Sequence, residues 1–308
     1  MRGIRSALIV GAGAIGAAVA SLLYDANPDA VALCATGARR ERYLRDGFII
    51  NDKRYAFRLA DPQADAPYDL IIVSVKSDAL SGAIEDMRPY VGPDTTILSL
   101  LNGISSEEIL RAEFGAGKVP LAIIIAIDAL RVGNAVTFKS QGEIQFGYEK
   151  DFGEASGDRT ALVSRFFTAH NILHEISPDM TKVLWYKFML NVALNQWSAI
   201  LRGPYALFQE SVSARELLSA TMKEVIALSE ALGKGLVLKD IDRVFATLDK
   251  LNGKGRTSML QDVDAGRKTE VGAFAGVVVE KARECGVSAP INQFLLLAIK
   301  AIEDGFGQ

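Results

Sequence analysis

Four apolar residues, Ala7-Leu8-Ile9-Val10, run directly into Gly11-Ala12-Gly13-Ala14-Ile15-Gly16, and a helical pattern continues to about Tyr24. Strand, G-x-G-x-x-G turn and helix in that order is a severe constraint. Gly11 allows the tight turn, Gly13 lets a pyrophosphate approach the backbone, and Gly16 lets the helix pack on the sheet. The amides opening the helix, around Ala14 and Ile15, are free and sit at the positive end of its dipole. The expectation is an open, mostly parallel α/β sheet whose first turn binds a dinucleotide. An apolar run this short is a strand rather than the core of a signal peptide.

The next strand is expected over Ala30 to Ala35. A carboxylate at its end would bind the ribose of NAD. None is there: the chain continues Thr36-Gly37-Ala38-Arg39-Arg40-Glu41-Arg42. Arginines at this place suit a 2′-phosphate, so NADP is favoured over NAD, with Thr36, Arg39 and Arg40 as candidate contacts. Phe48-Ile49-Ile50 and Tyr55-Ala56-Phe57 flank a turn and read as a hairpin. Tyr68 to Val75 is a buried strand ending in Lys76, followed by a helix capped by Ser77 or Asp78. Thr96 to Leu101 is another strand, ending in Asn102-Gly103. In an open α/β sheet the C-terminal strand ends form the ligand edge, which makes Lys76 and Asn102 site candidates. Val119 to Asp128 reads as a further strand, and Ala135–Phe138 with Glu143–Phe146 as an antiparallel pair.

From about Gly157 the pattern turns helical, so the expected division is a dinucleotide-binding domain over residues 1–155 and an all-α domain over 156–308. Within the second, Leu184 to Asn195 is apolar nearly all round, the mark of a helix buried in a large protein. Yet Lys187, Asn191 and Asn195 lie four residues apart along one stripe of it. That stripe is either a buried polar seam or the wall of a site, since an ammonium there must be paired, hydrated or facing a cleft. Lys182 reads as an exposed first-turn residue. Ser258 with Gln261 matches a helix capping box, and Cys285 reads as a packed thiol. Two cysteines far apart and two histidines leave nothing for a disulfide framework or a zinc site. A formal net charge of −3 argues against a nucleic-acid binder. The apolar run Leu121 to Ile127 is far short of a membrane span. A reduced, cytoplasmic setting follows as the expectation.

Together, Gly11-Ala12-Gly13-Ala14-Ile15-Gly16, Val75-Lys76, Leu101-Asn102-Gly103, Leu184-Trp185-x-Lys187-x3-Asn191-x3-Asn195, Ser258-Met259-Leu260-Gln261-Asp262 and Thr269-Glu270 resemble the ketopantoate reductase family, the 2-dehydropantoate 2-reductases. The set is spread in family order over nearly the whole length. The resemblance implies a Rossmann-type domain followed by a helical domain of the 6-phosphogluconate-dehydrogenase type. It also implies NADPH/NADP+ as cofactor and a small 2-keto acid as substrate, ketopantoate first. Under it, Lys187 is the general acid, and Asn191, Asn195 and Ser258 hold the carboxylate and hydroxyl of the substrate. Glu270 orients the lysine and touches the cofactor ribose, and Asn102 and Lys76 line the nicotinamide end. The chemistry is coherent, because hydride addition creates an alkoxide that an ammonium neutralises and protonates. One position departs: family members often carry an arginine directly after the second strand, where this chain has Thr36. Another 2-keto or 2-hydroxy acid or an imine as substrate, a non-catalytic NADP-binding sensor, and a homodimer all stay open at this point.

Overall fold

The computed structural model describes residues 3–153 and 155–306, and the chain divides into two compact units. Unit 1 comprises residues 1–102 and 106–180, and unit 2 comprises 103–105 and 181–308. The chain order in unit 1 is β1 (Ala7–Val10), α1 (Ala14–Ala26), β2 (Val31–Cys34), α2 (Gly37–Asp46), β3 (Phe48–Ile50), β4 (Lys53–Tyr55) and β5 (Arg58–Leu59). It continues through β6 (Leu70–Val73), α3 (Leu80–Met87), β7 (Thr96–Ser99), α4 (Ser106–Phe114) and β8 (Leu121–Ile127). It closes with β9 (Leu130–Val132), β10 (Ala135–Thr137), β11 (Gln141–Gly147), α5 (Ala155–Ala169) and β12 (His174–Ile176).

The central sheet has the order β5-β2-β1-β6-β7, with every pairing parallel. This is the doubly wound arrangement, and the order reverses beside β1. Its strands read as unbroken apolar runs because both faces are covered. Alternate side chains feed two cores. Ile9, Leu33, Ile72 and Leu98 pack with Val19 and Leu23 of α1, whereas Leu8, Ile71, Val73 and Ile97 pack with Leu80, Ile84 and Met87 of α3.

A hairpin forms at the expected place, but its second strand is Lys53–Tyr55 rather than Tyr55–Phe57: β3 and β4 pair in register Ile50↔Lys53, turning on Asn51 and Asp52 alone, both at positive φ. That is the left-handed pair a two-residue hairpin needs, and asparagine and aspartate tolerate it best. The expected pairing of 135–138 with 143–146 does not form. β10 instead pairs antiparallel with β9 and parallel with β3, while β11 pairs antiparallel with β8 and parallel with β12. Gly133 at φ +62° closes the β9–β10 turn, so β10 already has its hairpin partner when β11 begins. The unit boundary also lies later than the 155/156 expected from composition. The parallel pairing of β12 on β11, with α5 packed against both, keeps this stretch in unit 1 through Met180. In place of a capped helix after Lys76, a 3-10 turn over Ser77–Ala79 leads into α3.

Unit 2 is helical: α6 (Met180–Leu201), α7 (Tyr205–Glu210), α8 (Val212–Ala231), α9 (Lys239–Leu248), α10 (Ser258–Asp264), α11 (Ala275–Cys285) and α12 (Pro290–Asp304). α8, α11 and α12 pack on one another, and α7 packs against α8 and α9. The first amides of α12 find their acceptor in Glu224 of α8, whose carboxylate takes Ile291 N at 2.8 Å, Asn292 N at 2.9 Å and Asn292 Nδ2 at 2.8 Å. A helix start left without acceptors would be costly, and a carboxylate there also meets the positive dipole end. Lys182 is not the exposed residue expected, because its Nζ lies 3.4 Å from the carboxylate of buried Asp240. Burial alone would raise the Asp240 pKa, but the Val237 amide, Arg243 and Lys182 outweigh it and hold the carboxyl below its ordinary range. Cys285 is exposed rather than packed. No helix among the described residues is long and apolar enough to cross a membrane.

One carboxyl in unit 1 has an unusual environment. Glu107, on the first turn of α4, is 2% exposed. It accepts a hydrogen bond from Ser106 Oγ at 2.8 Å and a longer one from the Ala122 amide at 3.4 Å. Burial pushes its pKa from 4.5 to about 7. The folded state therefore prefers the protonated acid. This preference is fully present below pH 4.5 and is lost as pH rises through about 7. Glu107→Gln keeps the shape and removes the titration. Relative to the parent, the variant should gain on the order of 2–3 kcal/mol of stability between pH 5 and pH 8. Urea denaturation at the two pH values reads this directly, and a pH-independent difference between the two proteins would contradict the assignment.

Candidate active site

The turn between β1 and α1 has the form its glycines predict. Gly11 sits at φ +94°, where a side chain is strained, and an added Cβ would come within 2.5 Å of Val75 Cγ1 and 2.8 Å of the Ser74 carbonyl oxygen. At Gly16 a Cβ would overlap the Gly11 carbonyl oxygen and the Ser74 hydroxyl. Ser74 Oγ donates to the Gly11 carbonyl at 2.6 Å and ties the turn to the end of β6. Gly13 is different: the nearest atom to an added Cβ is the Ser74 carbonyl oxygen, 3.9 Å away. The packed sides are at Gly11 and Gly16, and the open side is at Gly13, followed by Ala14 and Ile15 at the start of α1. No side chain caps that helix. Open space, free amides and a dipole end together fit a pyrophosphate.

A residue that sequence spacing did not single out stands beside this loop. Arg131 of β9 donates through Nη1 to the Ala12 carbonyl and through Nε to the Gly133 carbonyl at 2.8 Å, with its guanidinium 5.6 Å from the Phe48 ring centroid. It brings a fixed cation to the glycine turn. Arginine is a common residue on strands and no local pattern marks this one, so only the pairing of β9 with β10 reveals it.

The end of β2 is built from residues distant in sequence. Thr36 precedes α2, but its hydroxyl makes no capping bond and donates instead to Asp86 Oδ1 of α3 at 3.0 Å. Arg39 Nη2 lies 3.9 Å from Asp86 Oδ2. Arg40 turns away, donating through Nη1 to the Ala60 carbonyl at 2.9 Å. Thr36 and Arg39 therefore share one cluster, and Arg40 belongs to another. Cys34, at the end of the same strand, donates its thiol to the Asp86 carbonyl at 3.5 Å. Burial pushes its pKa up to about 12, with the Asp86 carboxylate adding to the effect, which leaves it an inert thiol. Lys76 is exposed and Asn102 half-buried, each the third residue past the end of its strand, β6 and β7. Both thus follow the C-terminal ends of central-sheet strands, as expected. A pocket of about 440 Å³ in unit 1, lined by Ile4, Leu162, Arg165, Phe166 and His170, contains none of these residues.

In unit 2 the polar stripe lies on α6. Phe188, Met189, Val192, Ala193 and Leu194 are buried, as are Asn191 and Asn195, whereas Lys187 retains partial exposure. Successive members of the stripe are about 6 Å apart along the axis. The expected capping box at Ser258 does not form. Thr257 is the cap, its hydroxyl accepting from the Leu260 amide at 3.2 Å, and Gln261 donates instead to the Arg256 carbonyl. Ser258 is left exposed at the first residue of α10. Glu270 is half-buried just before a 3-10 turn at Val271–Ala273. Its backbone position is held from α12, since Glu303 Oε1 accepts from the Thr269 amide at 2.7 Å and the Thr269 hydroxyl at 2.6 Å. Gly103, at φ +101°, approaches the Ala273 carbonyl so closely that an added Cβ would lie 3.3 Å from it. Among the described residues no three His, Cys, Asp or Glu side chains converge as a metal ion would require.

Comparison with known proteins adds the lineage. A family model described as ketopantoate reductase PanE/ApbA matches residues 7–151, and its C-terminal counterpart matches residues 179–303. A 2-dehydropantoate 2-reductase of Aquifex aeolicus is 29% identical over 306 residues, covering 96% of each protein. Among solved structures, a D-mandelate dehydrogenase with NADH and anilino(oxo)acetate superposes with a TM-score of 0.87 at 21% identity, covering 98% of this chain and 99% of that one. A PanE/ApbA family ketopantoate reductase of Ralstonia eutropha gives 0.82 at 24% identity, covering 98% and 100%. At these identities the structural likeness establishes the fold.

The loop geometry separates two glycine substitutions. Gly16→Ala should destabilise the protein by about 3 kcal/mol, because backbone and hydroxyl must give way to the methyl. Gly13→Ala should melt within a few degrees of the parent yet bind a nicotinamide dinucleotide at least about tenfold more weakly, about 1.4 kcal/mol. Thermal denaturation with dinucleotide titration distinguishes the two; unchanged affinity in the Gly13 variant would remove the pyrophosphate from this turn.

Proposed function

Because this chain belongs to the ketopantoate reductase family, we propose that it reduces a 2-keto acid with a nicotinamide dinucleotide. NADPH is the expected cofactor, and 2-dehydropantoate, giving pantoate, is the first candidate substrate. The observation that carries the reading is the α6 stripe, a partly exposed lysine followed one and two turns later by two asparagines on a buried helix. Polar groups on a buried helix are costly unless they are hydrogen-bonded or face a cleft, and this reading gives all three a role at the substrate.

When bound, the reduced nicotinamide supplies the hydride. Lys187 gives its proton to the carbonyl oxygen of the substrate as negative charge develops there. An ammonium interacts more strongly with that alkoxide than with the neutral carbonyl, and such a differential lowers a barrier. Asn191, Asn195 and Ser258 hold the carboxylate and hydroxyl groups of the substrate, and amides suit this because they both donate and accept. Glu270 orients the lysine and contacts the cofactor ribose, while Asn102 and Lys76 line the nicotinamide end. Gly11, Gly13, Ala14, Ile15 and Gly16 cradle the pyrophosphate.

A second reading keeps the chemistry and changes the substrate. The D-mandelate dehydrogenase fold likeness makes aromatic 2-keto acids worth including beside 2-dehydropantoate. A dinucleotide-binding sensor without turnover is the reading from another class, and a proton donor has no use in it.

A steady-state panel of 2-keto acids with NADPH decides among the three. Turnover of 2-dehydropantoate supports the first and turnover only of other acids the second; binding without turnover supports the sensor. Lys187→Ala should lower kcat by about 10²- to 10⁴-fold, the span of a lost acid–base group, while dinucleotide affinity stays at the parental value. Near-parental kcat in this variant would exclude Lys187 as the acid.

A further inference from the structure

The second strand carries no carboxylate at its own C-terminal end, but the fold brings one there. Asp86 accepts from Thr36 Oγ1 at 3.0 Å, and its other oxygen lies 3.9 Å from Arg39 Nη2. The thiol of Cys34, the last residue of β2, donates to the Asp86 carbonyl, so both backbone and side chain of Asp86 are fixed against the strand end. The Asp86 side chain is 21% exposed and that of Arg39 is 42% exposed, so the pair has an open side.

In a doubly wound sheet this strand end is where the adenosine ribose lies. The two kinds of dinucleotide ask opposite things of it. A ribose with free 2′- and 3′-hydroxyls presents donors, and a carboxylate is acceptor-only with two oxygens. A 2′-phosphate brings about 1.5 to 2 negative charges and calls for a guanidinium. The site holds one of each, Asp86 and Arg39, side by side, whereas Arg40 is committed to the Ala60 carbonyl.

We propose that Asp86 is the acceptor for the ribose hydroxyls in this dinucleotide site, and that through it the chain uses NADH as well as NADPH. Arg39 serves the other cofactor, exchanging Asp86 for the 2′-phosphate. The selectivity residue thus comes from α3 rather than from the strand it serves. The proposal rests on the reductase reading and concerns the cofactor's identity within it.

Titration of NADH and of NADPH into the full chain, followed by nicotinamide fluorescence without any keto acid, tests it. The parent should bind both, with Kd values within about tenfold of each other. Asp86→Ala should raise the Kd for NADH by about tenfold or more, the loss of a charge-assisted hydrogen bond, while the Kd for NADPH stays level or falls. Asp86→Asn should move both Kd values in the same directions, and it carries the test if the alanine variant fails to fold. Arg39→Ala should do the reverse, weakening NADPH alone. A parent that binds NADPH but not NADH overturns the proposal, as do Asp86 variants that weaken both cofactors equally; the reductase reading survives either result. A parent that binds neither cofactor overturns that reading and this proposal together.

Discussion

Unit 1 depends on a close approach of backbone to backbone. At Gly16 even a methyl would overlap the Gly11 carbonyl oxygen, and at Gly11 it would press on Val75 and the Ser74 carbonyl. The Ser74 hydroxyl bridging to Gly11 adds a hydrogen bond worth about 1 kcal/mol, so excluded volume rather than that bond makes the glycines necessary. The consequence reaches beyond the turn. β1 and β6 must lie directly side by side for Ser74 to reach Gly11, and these strands flank the place where the sheet reverses its order. The same packing that closes the fold at that point leaves space beside Gly13, at the start of α1.

In unit 2 several carboxylates take donors from a different element. Glu224 of α8 receives the start of α12, Asp240 of α9 receives Lys182 of α6, and Glu303 of α12 holds Thr269. The last of these bears on the site, because the residue after Thr269 is Glu270. A carboxylate at the end of one helix fixes the backbone from which another carboxylate projects. Such support suits the role proposed for Glu270, whose geometry has no help from regular secondary structure.

Much of this could be read from the chain alone. The β1–turn–α1 unit was legible because its glycines answer steric demands local to ten residues. The central strands were legible because burial on both faces leaves an unbroken apolar run. The stripe at Lys187, Asn191 and Asn195 stood out because polar groups on a buried helix break a pattern. Features decided over longer distances were not legible. β10 and β11 have similar local character, and only the β9–β10 turn at Gly133 assigns their partners. Thr257 and Ser258 offer equivalent hydroxyls, and the cap falls to Thr257 because its backbone is extended, as an N-cap requires. Asp86 could not be seen from β2 at all, since it reaches Thr36 from the far end of a helix four strands later in the chain.

The proposed chemistry explains why one member of the α6 stripe is charged and the others are not. Groups that only hold a substrate bind ground state and transition state alike, and a neutral amide does this without the desolvation cost of an ion on a buried helix. Asn191 and Asn195 lie where burial is nearly complete. Charge is worth its cost only where the substrate's own charge changes during the reaction. Lys187 is also the member of the stripe that keeps access to solvent, which lowers the cost of an ammonium before substrate arrives and leaves a route for reprotonation after each turnover. The gradient of burial along one helix face thus follows the division between holding the acid and protonating it.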